Sequence, residues 1–303
     1  MTPVLKFFVA LFVAGSVWGT ASAQDVGGTL DKIRKTGSIT LGHRDTSIPF
    51  SYYDDKQQVV GYAMDICYKV VEAVRAHLKM KKIDIKLNPV TSATRIPLMA
   101  NGTIDLECGS TTNNLERQKQ VWFATTHFVT ANRFVSKKSA NLKTLDDLKG
   151  KTVVSTAGTT NIRQATELNV ARKLGMNIIA AKDHAEAFLT VDTGRAVAFF
   201  MDDILLYGLV ANSRNPDEWV ISGEALSVEP YGIMLRKDDV EFKKVVNGAI
   251  NALYKSGEIN QIYEKWFLKP IPPRGVNLNV PMSAQFKRVV ANPTDSGDPN
   301  DYK

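Results

Sequence analysis

The residues of this chain best suited to chemistry are polar groups standing just after apolar runs. Ser110-Thr111-Thr112 follows the run at 104–108, and Arg117 lies five residues beyond Thr112. Gly158-Thr159-Thr160 follows 152–155, His43-Arg44 follows 38–42, and Ser92 and Arg95 follow 83–87. His184 opens a helical stretch, and Asp202 closes the apolar run 196–201. A guanidinium offers a planar pair of donors to a carboxylate, in charge-assisted bonds about twice as strong as neutral ones. Hydroxyls and free N–H groups at a helix start hold anions. Taken singly, each position has an ordinary reading. Ser or Thr before a helix is a cap, Asp202 caps the helix after it, and a lone Arg is a solvated surface residue. The set says more than its members, because all of these groups fall at the loop ends of successive strands.

Other chemistries find little support. Gly150-Lys151-Thr152 ends like a phosphate-binding loop, but Leu145 stands where that motif needs glycine, and a strand follows the Thr instead of a helix. His184-Ala185-Glu186 has no second His at i+4. There is no G-x-S-x-G elbow and no G-x-G-x-x-G after a strand. Four His without a clustered set of His, Asp and Glu give no support to metal catalysis, and nothing in the sequence calls for a cofactor.

The elements that must position these groups alternate. Residues 38–42 read as a strand, 50–53 and 59–61 as a hairpin about 54–58, and 62–80 as a helix. In that helix Ala63, Ile66, Cys67, Val70, Val74 and Leu78 follow the 3.6-residue period, so Cys67 faces inward. A strand at 83–87, a helix at 95–101 ended by Gly102, and a strand at 104–108 follow. A long extended run at 127–135 separates this unit from a second one. There strands at 152–155, 177–181 and 196–201 alternate with helices at 160–174 and 183–193. A second extended run, 225–235, leads to helices at 240–256 and 258–267, stopped by Pro270, Pro272 and Pro273. Residues 291–303, polar with Pro and Gly, are expected to be disordered. The expected fold is α/β: two open sheets that face each other across a crevice, where loops after strand ends collect binding groups.

Composition bounds the compartment and the partners. Lys6, the apolar run 7–13 and the small-residue end Ala21-Ser22-Ala23 form a secretory signal peptide over residues 1–23. Its apolar core is too short to span a bilayer. Removing it takes the formal charge from +7 to +6, since Lys6 is the one charged residue lost. The remaining charges are scattered, and the basic cluster Lys79, Lys81 and Lys82 ends a helix, which suits the helix dipole. Nucleic-acid binding is not expected. Cys67 and Cys108 remain, and in an oxidising compartment they are either one disulfide or two buried thiols.

The chain resembles the periplasmic glutamate/aspartate-binding proteins of ATP-driven amino-acid importers. The matching stretches are Gly42-His43-Arg44, 48–53, 91–98, Asn101-Gly102-Thr103, the twelve residues 107–118, 181–184, 194–199 and Met201-Asp202-Asp203. The resemblance implies a two-lobed clamshell with hinge strands near 127–135 and 225–235. One lobe would comprise 24–129 with 231–290, and the other 130–230. It implies that Ser110, Thr112 and Arg117 hold a ligand α-carboxylate, with Thr159 and Thr160 presented from the second lobe. Asp202, helped by Ser110, would accept the α-ammonium. Arg44, Ser92, Arg95 and His184 would surround a side-chain carboxylate, with His184 adding positive charge if protonated. The implied partners are L-glutamate or L-aspartate and the membrane permease of an ABC importer, the protein acting as a monomer in the periplasm. The disulfide cannot be carried over, because in other members the partner of Cys108 lies near Ile233, where this chain has no Cys. Two other readings remain. One is a periplasmic dehydratase of cyclic carboxylates on the same fold, with Glu107 or Glu229 as general acid. The other is a sensor module for a separate receptor.

Overall fold

The computed structural model describes residues 28–303; the expected signal peptide, 1–23, lies outside the described residues. Two five-stranded sheets dominate it. In the first, Ser38–His43 lies between Asp84–Pro89 and Leu106–Glu107, parallel to both. Glu229–Arg236 then pairs antiparallel with Leu106–Glu107 and with Val121–Thr130. The second sheet repeats the plan. Thr152–Thr156 lies parallel between Asn177–Ala181 and Ala198–Asp202, and Asn132–Lys137 pairs antiparallel with Ala198–Asp202 and Trp219–Ile221. The chain passes from first sheet to second at Ala131, and returns between Ile221 and Glu229. Parallel strands demand crossovers, and the helices Tyr62–His77, Arg95–Ala100, Thr160–Ala171 and His184–Asp192 supply them.

The helix Tyr62–His77 buries Ala63, Ile66, Cys67, Val70 and Val74, the stripe that its periodicity marks. It stops before Lys79, whose φ of 54° leaves the helical region. Cys67 and Cys108 form a disulfide with their Cα atoms 6.2 Å apart. The bridge ties this helix to the start of the loop that carries Ser110 and Thr112. Tyr62, Phe128, Tyr231 and Phe267 each meet Phe50 edge to face, with Phe50 and Phe128 centroids 5.0 Å apart.

Three differences from expectation matter. The strand expected at 104–108 is only Leu106–Glu107, because the residues after it turn into the cleft loop. Helices Thr29–Thr36 and Ala284–Ala291 were not marked by the sequence pattern. The third concerns residues 291–303, which are packed and not disordered. Tyr302 is 1% exposed; its hydroxyl donates to the Ser296 carbonyl at 2.7 Å and accepts from Thr126 Oγ1 at 2.8 Å. The Thr126 amide donates to the Thr294 carbonyl, and Asn113 Nδ2 to that of Asp295, both at 2.9 Å. One buried aromatic with satisfied polar ends outweighs a polar composition.

Candidate functional site

The polar groups flagged by the sequence converge where the two sheets face each other. From the first sheet come Arg44, just past Ser38–His43, and Ser92 and Arg95 at the head of Arg95–Ala100. Ser110 and Thr112 follow Leu106–Glu107, and Arg117 sits in the short helix Leu115–Gln118. From the second come Thr159 and Thr160 at the start of Thr160–Ala171, His184 at the start of His184–Asp192, and Asp202 at a strand end. All ten are buried. Eight of them line a small cavity, together with Asn161, Met201 and Leu205; Arg44 and Arg117 are not among its lining residues.

The facing elements touch. Arg44 Nη2 lies 2.9 Å from Ser92 Oγ and 3.3 Å from His184 Nε2. Arg117 Nη1 donates to the Thr112 carbonyl at 2.8 Å, and Nη2 crosses to that of Gly158 at 3.2 Å. Thr112 and Thr160 hydroxyls are 3.5 Å apart. At Gly158, φ is +76°, and a Cβ there would lie 2.6 Å from Cα of Ala93. Glycine is required on both counts.

The ordinary readings divide. Thr159 is a cap, since its hydroxyl accepts from the Ile162 amide at 3.2 Å and donates to the Thr156 carbonyl at 2.6 Å. Asp202 makes no capping bond. Instead Oδ1 accepts from Asn161 Nδ2 at 2.7 Å and Oδ2 from the Tyr231 hydroxyl. Burial, then the charge of Glu229, raises Asp202 to about 7 despite those bonds.

Three guanidiniums in one cleft cost desolvation and repel each other. Burial, then Arg95, lowers Arg44 to about 10 and Arg117 to about 9, which still leaves both charged at neutral pH. Burial also lowers Arg95. His184 does not add the positive charge considered from sequence: burial, then Arg44 and Arg95, push it well below its ordinary value. A guanidinium only donates, so His184 Nε2 accepts from Arg44, and Nδ1–H faces Thr156 Oγ1 at 2.8 Å. Arg44 Nη1, Arg95 Nε and Ser110 Oγ are buried without a hydrogen-bond partner.

Sequence reasoning did not flag Tyr231 or Asn161 as site residues, named Thr111 without giving it a role, and weighed Glu107 and Glu229 only as acids of an enzyme. Glu229 accepts from Thr160 Oγ1 at 3.0 Å and Gln164 Nε2 at 2.6 Å. Tyr231 and Glu229 share the returning strand Glu229–Arg236. Their only sequence signal was membership of that extended run.

A family model described as bacterial extracellular solute-binding proteins, family 3, matches residues 39–269. The "L-glutamate/L-aspartate-binding protein" of Pseudomonas aeruginosa is 55% identical, over 93% of this chain and 94% of that one. The "Glutamate/aspartate import solute-binding protein" of Salmonella typhimurium is 49% identical, over 96% and 97%. Among solved structures, a mutant of ArgBP from T. maritima superposes with a TM-score of 0.70 at 28% identity, covering 78% of this chain and 98% of that one. Model, relatives and two-sheet architecture agree, and the chain belongs to the family 3 bacterial extracellular solute-binding proteins.

Proposed function

We propose that this chain captures L-glutamate or L-aspartate in the periplasm as a monomer, by closure of two lobes, and delivers it to the permease of an ABC importer. The observation that carries the ligand class is the pair of unpartnered donors, Arg44 Nη1 and Arg95 Nε, buried in the cleft. An unsatisfied buried charged donor costs more than about 1–3 kcal/mol. An amino acid with a side-chain carboxylate removes that cost. Arg44, Ser92, Arg95 and neutral His184 surround that carboxylate. Ser110, Thr112, Arg117 and Thr160 take the α-carboxylate, and Asp202 takes the α-ammonium. The lobes are 24–129 with 231–290, and 130–230, and the segments near 127–135 and 225–235 are the hinges. The chain binds its ligand without transforming it, in keeping with the names of its relatives.

A thermal-shift panel of the amino acids tests this reading, because a tight ligand stabilises the native state by mass action. Glutamate and aspartate should give the largest shifts, with glutamine bound at least about 10²-fold more weakly, since its NH₂ meets groups that are themselves donors. Equal stabilisation by glutamine or a basic amino acid overturns the ligand class.

A further inference from the structure

Glu107 is a buried carboxylate that the ligand contacts proposed above do not use. It is 0% exposed at the end of Leu106–Glu107, and Oε2 accepts from Thr111 Oγ1 at 2.6 Å. That same oxygen of Thr111, also fully buried, accepts from Arg95 Nη1 at 2.6 Å. Glu107 Oε1 has no partner. A side chain at Gly109 would strike both the Glu107 carboxylate and the Arg44 stem, so these two meet over Gly109. Glu107 is also the leading carboxylate whose charge supports the protonated forms of both Arg44 and Arg95.

We propose that Glu107 is a positioning and specificity-determining residue. Through Thr111 it fixes the Arg95 fork, and its carboxylate brings the side-chain subsite to one net positive charge, matched to a ligand side chain with one negative charge. The inference rests on the ligand class proposed above. Two guanidiniums and one carboxylate, with neutral His184, leave one charge, and a single ligand carboxylate completes a neutral buried set. A dianionic side chain leaves an uncompensated buried anion, and a neutral one an uncompensated cation. Thr111 has one proton, donated to Glu107, so its lone pair is oriented toward Arg95.

Calorimetry on the mature chain with L-glutamate and O-phospho-L-serine reads the charge match, because the phosphate passes from monoanion to dianion near about pH 6. Both ligands carry the same α-ammonium, so the ratio of their affinities cancels the titration of Asp202. In wild type the preference for glutamate should shrink at least about tenfold between about pH 8 and about pH 5.5, as the phosphate becomes a monoanion. In Glu107→Gln it should shrink at least about tenfold already at about pH 8. A ratio independent of pH in wild type, or unchanged in folded Glu107→Gln, overturns the charge match; if Glu107→Gln does not fold, the wild-type arm decides alone. Thr111→Val should weaken glutamate about tenfold, with Thr111→Ser rescuing it. Equal affinities of those two variants overturn the positioning role. Wild type that binds neither glutamate nor aspartate overturns the ligand class and this inference with it, whereas glutamate binding with unaltered ratios overturns this inference alone.

Discussion

Arg44 and His184 meet across the cleft, Nη2 of one 3.3 Å from Nε2 of the other, although 140 residues separate them in sequence. With the Arg117–Gly158 bond, this contact joins the two sheets in a closed arrangement. A ligand that bonds groups on both sides favours that state over an open one. Small-angle scattering should therefore show a smaller radius of gyration with saturating glutamate. Gly158→Ala should counter this: its Cβ meets the backbone of Ala93, so the lobes stay apart and calorimetry should show at least about tenfold weaker binding. Undiminished affinity in that variant would argue against closure at this contact.

The two ends of the ligand should separate by mutation. Arg95→Ala should lose most of the affinity for glutamate while narrowing its advantage over glutamine, since the charge that distinguishes them is gone. Arg117→Ala should weaken all α-amino acids alike. Arg95→Lys should bind poorly as well, because an ammonium cannot reproduce the planar fork. Calorimetry with both ligands on the three variants checks the pattern, and it fails if Arg117→Ala alters the glutamate-to-glutamine ratio as much as Arg95→Ala does.

Asp202 gives binding a pH dependence. Burial and Glu229 raise it to about 7 in the closed fold, while Arg95 and Arg117 stand nearby as fixed positive charges. An α-ammonium beside it favours the carboxylate, so binding below that pH expels a proton. Affinity for glutamate should fall between about pH 8 and about pH 5.5. Calorimetry in buffers of different ionisation enthalpy should detect proton release near pH 6 and lose it near pH 8. The raised value also means that this group stabilises the ligand-free fold most below its unfolded value of 3.8, an effect lost as pH rises through about 7.

The C-terminal tail should contribute to stability. Tyr302 is buried and bonded to Thr126 and Ser296. Tyr302→Ala should cost about 3 kcal/mol in denaturant unfolding, in the range for buried aromatics. A free tail would show no change.

Much of the fold was legible because its signals are local. The period of Ala63, Ile66, Cys67, Val70 and Val74 specifies one buried helix face, and all five are buried. The apolar run 196–201 bounded by Asp202 yields the strand Ala198–Asp202, buried throughout. Tyr302 was not legible: a lone aromatic in a polar tail has no period, and its burial depends on where Thr126 lies in another element.

The sequence by itself determined which residue types stand at strand ends, and hence that guanidiniums, hydroxyls and one carboxylate would line a crevice. It also carried the resemblance that named their ligand. Charge state was decided only by tertiary structure. His184 is neutral because folding buries it, and does so beside Arg44 and Arg95; Asp202 is raised because it is buried and the returning strand places Glu229 near it. Thr111 and Glu107 lie four residues apart, but their link to Arg95 exists only once the crossover brings Arg95 against that loop. Residue type and spacing are read along the chain. Desolvation and Coulomb interactions depend on distances through space, and only packing sets those.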